Sequence, residues 1–171
     1  PVHKSLGRNI YGYFGDYAPA ARDLEPFYTA AEKAGVEVNI CGNPNNLFHS
    51  TDKIHIHPRL PLAELRPIEY NSNVLVFLCN RQGGQIPGKI YQYSATDKTI
   101  LFILDGTDDE QAVLKDYFGK FNRYVFCRNT VEDITCAIRQ IESGDIGSVR
   151  NVPLDDFEPV KIVTSILEAG R

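Results

Sequence analysis

The sequence predicts an α/β protein: a doubly wound parallel sheet of about six strands with helices on both faces. Three observations predict it. Short β-like apolar runs alternate with helical stretches along the whole 171-residue chain, the pattern of strand–helix units joined by crossovers. Two of those runs, Val74-Leu75-Val76-Phe77-Leu78 and Thr99 to Leu104, are almost wholly apolar, as strands covered on both faces must be. Hydrophobic residues make up 43% and charged residues 23%, which fits one soluble domain with a sizeable core and argues against disorder or a coiled coil.

Each element has a local reason. Asn9 to Phe14 reads as the first strand, ended by Gly15-Asp16. Residues 22–34 follow as a helix: Leu24, Phe27, Tyr28, Ala31 and Ala34 recur at three- and four-residue steps, and Gly35 stops it. Val36 to Ile40 is the second strand, and residues 42–53, rich in Gly, Asn and Pro, are loop. Ile54 to His57 is a short third strand broken by Pro58 and Pro61. Leu62 to Asn71 reads as a short helix interrupted by Pro67. After the 74–78 strand, Gly83-Gly84 opens a loop and Pro87 marks a helix start, giving a helix over 88–97. Thr107 with Glu110 makes a capping box for a helix over 108–119. Tyr124 to Cys127 is the last strand, and Thr130 with Asp133 caps a helix to about Ser143. A final helix over 159–168 is extra to the repeating pattern. No linker or internal repeat divides the chain, so 1–171 is one Rossmann-like domain.

Net charge is −4, so no bulk positive field draws nucleic acid. No apolar run approaches the roughly 20 residues of a membrane span, and no signal peptide opens the chain. The chain begins with Pro1 and contains no Met, as expected of a processed or excised piece. Cys41, Cys79, Cys127 and Cys136 show no CxxC or zinc spacing. They read as small apolar residues of a reducing, cytoplasmic location.

Ligands of open parallel sheets bind beyond the carboxyl ends of the strands, where strand order reverses. Two loops carry unusual chemistry for that position: Gly15-Asp16-Tyr17, and Asn80 to Lys89 with three glycines. Glycines admit a ligand close to the backbone, and a helix start offers free N–H groups to an anion. Lys89 lies in the first turn of that helix, where a cation opposes the dipole; a phosphate partner would account for it. Gln92, three residues on, shares its face. The structural alternative is a tight turn at Gly83-Gly84 with a solvated Lys89. Neither the dinucleotide fingerprint nor a P-loop is present.

At this loop the chain resembles a known family. The run GQIPGKIYQYSATDKTILFI (84–103) is similar to the donor-binding segment of bacterial, retaining-type GT-B glycosyltransferases, commonly "QIPGKIFEYLATGKPIL". Residues 10–42, 60–78 and 156–170 resemble other parts of that family's C-terminal domain. The resemblance implies the nucleotide-sugar-binding half of an enzyme of polysaccharide biosynthesis, with an N-terminal acceptor-binding domain missing and 159–168 as the helix that crosses back to it. It implies hexosyl or related transfer, an isolated domain that is inactive alone, and a cytoplasmic, membrane-peripheral full-length protein. No cofactor or metal is expected; the nucleotide-diphosphate sugar is the substrate, and any catalytic base would come from the missing half. Lys89 matches the diphosphate-facing lysine, with Gly15, Arg22, Gly83 and Gly84 as further diphosphate ligands. Gln92 matches the ribose-binding glutamate, and Arg59 and Leu60 fall in the loop that touches the base. Gln92 departs from the family's glutamate by being one acceptor and one donor, and Asp97 and Thr99 replace the usual glycine and proline.

Other candidates are simpler. His55 and His57 share a strand face, but no third metal ligand is identifiable. Asp105, Asp108 and Asp109 are explained in part by the helix cap. Tyr11, Tyr13, Tyr17, Tyr91 and Tyr93 read as core residues, one of which could stack on a base. The alternative to the glycosyltransferase reading is a non-catalytic doubly wound module that binds nucleotide or protein, for which Asp16 and Asp105 would be the receiver-like acids.

Overall fold

The computed structural model describes residues 9–42, 46–82 and 88–154. In chain order its elements are β1 Ile10–Phe14, α1 Glu25–Ala34, β2 Glu37–Cys41, β3 Ile54–His57, α2 Leu62–Asn71, β4 Val74–Leu78, α3 Lys89–Ser94, β5 Thr99–Leu104, α4 Asp108–Gly119, β6 Tyr124–Arg128 and α5 Val131–Ser143. The strands form one sheet in the order β3-β2-β1-β4-β5-β6, every pair parallel. The chain winds outward from β1 to β3, returns to the centre at β4, and winds the other way. This is the expected doubly wound, Rossmann-like α/β fold.

Side-chain alternation divides the core between the two faces. Val74, Val76 and Leu78 of β4 join one cluster, and Leu75 and Phe77 the other, the period of two that a strand imposes. On the first face α1 buries Phe27, Ala30 and Ala31, and α5 buries Ile134, Ala137, Ile138 and Ile141 beside it. On the second face Phe77, Phe118, Tyr124 and Phe126 surround Phe102, with ring centroids 4.8 to 5.4 Å away. Each buried Phe, Ile, Leu or Val among them contributes roughly 1.5–3 kcal/mol.

The helix ends follow the sequence closely. Thr107 and Glu110 form the reciprocal capping box of α4, and the Thr130 hydroxyl accepts from the Asp133 amide at the start of α5. Gly35 and Gly144 end α1 and α5 at φ 67° and 77°, a conformation that costs other residues a clash at Cβ.

Three helices differ from expectation, and β1, β2 and β6 shift by one residue at one or both ends. Helix α1 starts at Glu25 rather than 22, because residues 18–22 close a turn through an Ala18–Arg22 bridge. Helix α3 ends at Ser94 rather than 97; the Ser94 hydroxyl turns back to the Ile90 carbonyl and the Thr96 hydroxyl to that of Tyr93. Helix α2 runs unbroken through Pro67. It buries no residue fully, so the carbonyl that Pro67 cannot satisfy, that of exposed Ala63, lies on a solvent-facing helix rather than in the core. The expected helix over 159–168, and Pro87, lie outside the described residues.

Two features position the site. Strand β1 pairs with β2 along all five residues, Ile10 to Phe14, but with β4 only at Tyr11 and Gly12. The central strands therefore part toward their carboxyl ends. At the opposite end the chain after α5 returns beneath the sheet, held by Arg150 N–H to Asn122 O (2.8 Å), Asn151 Nδ2 to Thr99 Oγ1 (2.8 Å) and Leu154 N–H to Ser94 O (2.9 Å). Buried Arg123 donates from Nη2 to Thr96 O (2.6 Å) and from Nη1 to Asn151 Oδ1 (3.3 Å), locking that return.

Candidate functional site

The reversal of strand order between β1 and β4 and their divergence beyond Gly12 put a crevice where a doubly wound sheet is expected to hold its ligand. Its walls are the loop after β1, the loop after β4 and the start of α3. The two loops are tied together. Arg22 Nε donates to Asn80 Oδ1 (2.6 Å), Arg81 N–H to Ala21 O (2.8 Å), and Arg81 Nη1 to Pro19 O (2.7 Å). Asp16, Tyr17, Ala18, Ala20, Ala21, Arg22, Asn80 and Gln82 enclose a cavity of about 440 Å³ there.

Lys89 opens α3 and is half-buried. Its Nζ lies 5.6 Å from the ring centre of Phe14 and 5.9 Å from that of Tyr93. Among the described residues no carboxylate oxygen comes within 4.0 Å of it. Burial lowers its pKa below the ordinary lysine range, against which Glu69 is the leading opposing charge; Arg22 adds to the lowering. Two cations thus share the crevice, and a polyanion there would relieve both the desolvation of Lys89 and its repulsion from Arg22.

Arg22 also faces the Tyr13 phenol. Burial raises that phenol to about 12, with Arg22 opposing the rise. The Tyr13 hydroxyl donates to Asp16 O (2.9 Å), fixing the loop. Tyr93 is fully buried, its hydroxyl bonded to the backbone of Phe14 where β1 has left β4, and burial holds its pKa well above the ordinary value.

Gly15 and Gly42 differ instructively. A Cβ on Gly42 would lie 2.1 Å from the Gly15 carbonyl oxygen, so close approach of the ends of β1 and β2 requires this glycine. A Cβ on Gly15 would meet nothing nearer than Arg22 Nη1 and the Tyr13 hydroxyl, both at 3.8 Å. Gly15 leaves open space in front of Arg22.

Of the residues singled out in the sequence, Arg22 lines the larger cavity and Gly15 the smaller one described below, while Lys89, at the start of α3, lies against the rings of Phe14 and Tyr93. Gln92 is exposed on α3. Gly83 and Gly84 lie outside the described residues. Arg59 and Leu60 stand at the end of β3 and, with Gly15, Asp16, Cys41, Gly42 and Leu65, line a smaller cavity of about 220 Å³. Arg59 Nη2 grips both carboxylate oxygens of Asp16 at 2.6 and 2.5 Å, closing one rim of the mouth. The pairings Arg22–Asn80, Arg81–Pro19 and Asp16–Arg59 were not foreseen; the partners are 43 to 62 residues apart, and only the topology joins them.

The remaining candidates are committed elsewhere. Asp105 accepts from the Gly106 amide (2.8 Å) and from Asn129 Nδ2 (2.9 Å), and Asn129 also reaches Asp23 O (2.9 Å). With Asp16 paired to Arg59, the two receiver-like acids serve separate loops. His57 shares a hydrogen bond of 2.8 Å with Asn39, and His55 lies 3.8 Å from Glu37. Among the described residues no cluster of three or more His, Cys, Asp or Glu side chains is placed to hold a metal. Cys41, Cys79 and Cys127 are buried free thiols, whose pKa values burial raises to about 11, 12 and 12. No helix among the described residues is long and apolar enough to cross a membrane.

No family model and no curated protein matches the chain. Solved structures do. An S. aureus MnaA structure with UDP superposes with a TM-score of 0.57 at 11% identity, covering 95% of this chain and 46% of that one. The spinosyn rhamnosyltransferase SpnG, complexed with spinosyn aglycone, superposes with a TM-score of 0.51 at 15% identity, covering 98% of this chain and 43% of its own. At these identities the likeness is one of fold, and this chain spans less than half the length of either protein.

Proposed function

We propose that the chain is a nucleotide-sugar-binding domain of a glycosyltransferase, with a nucleoside diphosphate seated in the crevice between β1 and β4. The observation that carries this reading is Lys89: a half-buried ammonium at the start of α3, close enough to Arg22 to feel its charge and, among the described residues, without a carboxylate within 4.0 Å. A charged group left unpaired inside a protein costs stability; a diphosphate would offset that cost on binding. The match of the Pro87-Gly88-Lys89 run to the donor segment of GT-B enzymes and the fold shared with a UDP-bound protein support the same assignment.

In this reading Lys89 and Arg22 contact the diphosphate and stabilise the charge that accumulates on it as the sugar leaves. Gly15 keeps the approach to Arg22 clear, and Gly83 and Gly84 let the backbone come close. Gln92 meets the ribose, and Arg59 and Leu60 border the base. The acceptor, and any group that activates it, belongs to a further domain, so the domain alone binds donor without turning it over.

Calorimetric titration with UDP, GDP, TDP and ADP tests the reading. One of the four is expected to bind, and Lys89→Ala to weaken it about tenfold or more, the value of a charge-assisted hydrogen bond. Absence of binding by all four, or binding indifferent to Lys89→Ala and Arg22→Ala, refutes it and favours a non-catalytic module.

A further inference from the structure

The sheet ends at β3 on one side and at β6 on the other. Asn129 N–H donates to Leu104 O of β5 (3.0 Å). Strand alternation then turns the amides of Phe126 and Arg128 away from the sheet. These outward groups line the floor of a groove of about 460 Å³ walled by α4 and α5. An open strand edge of this kind is a template for another strand.

The walls carry a repeated pattern. Helix α4 presents Asp108, Gln111, Ala112 and Lys115, and α5 presents Asp133, Cys136, Ala137 and Gln140. Both sets follow the i, i+3, i+4, i+7 spacing of one helix face. Both helices run antiparallel to the strands, so their acidic first turns lie at the carboxyl end of β6. There Asp108 and Asp133 outnumber Arg128, which approaches Asp108 only to 4.0 Å. At the other end of the groove Lys115 is the charged side chain. A groove acidic at one end and basic at the other is complementary to itself when reversed.

We propose that this groove is where a second copy of the chain docks, β6 against β6 in antiparallel fashion about a two-fold axis. Asp108 and Lys115 are separated by about 10 Å along α4, so an axis between them sets each Asp108 beside the partner's Lys115. Helix α4 packs over both β5 and β6. With strands about 4.8 Å apart across the axis, the two copies of α4 lie about 10 Å from one another. That is the usual spacing of packed helices, and the small side chain of exposed Ala112 permits it. Such a contact is isologous and closes at two copies.

Sedimentation velocity across a wide concentration range is the test. The expected result is a monomer–dimer equilibrium. Ala112→Arg is expected to abolish the dimer, and Lys115→Asp to weaken it about tenfold through like-charge contact. The double exchange Asp108→Lys with Lys115→Asp restores opposite charges across the axis and is expected to recover association. All three positions are exposed, and circular dichroism checks that each variant folds. A monomer at every concentration, a dimer unaffected by Ala112→Arg, or failure of the double exchange to recover association overturns the proposal.

Discussion

The amino and carboxyl rims of the sheet treat their cations in opposite ways. At the amino rim Arg123 is buried but donates to a carbonyl and an amide oxygen. Lys98, nine residues after Lys89 in the chain, donates to the carbonyls of Glu69 and Tyr70 at the end of α2 and lies 5.6 Å from the Tyr70 ring centre. Burial lowers the pKa of both Lys98 and Lys89. Lys98 is answered by backbone oxygens, whereas among the described residues Lys89 meets aromatic faces and more distant charges. A cation answered by its own chain holds the fold; one that faces aromatic rings at a strand reversal is, in the proposed reading, the one a ligand would answer.

The contrast breaks most visibly at the amino rim. Arg123→Ala is expected to cost about 3 kcal/mol, from the cavity and the orphaned Thr96 carbonyl, measured by urea denaturation. Nucleotide affinity should not change. Lys98→Ala removes a charged partner from the last carbonyls of α2 and is expected to cost about 1–2 kcal/mol by the same measurement, again without effect on affinity.

Lys89→Met sharpens the contrast from the other side: stability is expected to stay level or rise slightly. The sign follows from linkage. Because the folded-state pKa of Lys89 lies below the unfolded one, the unfolded chain holds more protons in the interval between them. The penalty is complete at neutral pH and disappears as pH climbs through the lowered value to the ordinary lysine range. The stability difference between Lys89→Met and the parent protein should therefore vanish in alkali. Diphosphate affinity of the parent should begin to fall at a pH below the ordinary lysine range. Thermal melts and titrations over an alkaline pH series check both.

Much of this was legible in the residues. The strands at 54–57, 74–78 and 99–104 and helix α4 have the bounds their patterns predict, because uninterrupted apolar runs and a capping box are local signals. Pro67 misled because the rule against helical proline weighs most where the freed carbonyl is buried, and α2 is exposed. The start of α1 was hidden by a turn whose closure depends on Arg22, a residue also tied to Asn80 across 58 positions. That Lys89 opens a helix and Gly15 follows a strand was legible from their glycine-rich and strand-end context. The Asp16–Arg59 clasp, the Arg81 tether and the Gly42 contact were not, since each arises only when strands distant in sequence become neighbours.

The partial pairing of β1 with β4 gives the sheet a grain. It divides into two three-stranded leaves stitched along a seam of two residue pairs, Tyr11–Val74 and Gly12–Leu75. Beyond that seam the leaves are joined again, not by a ladder but by three hydrogen bonds between loops: Arg22 to Asn80, and Arg81 to Ala21 and to Pro19. Parting the leaves there would cost those loop clasps and no rung of the sheet.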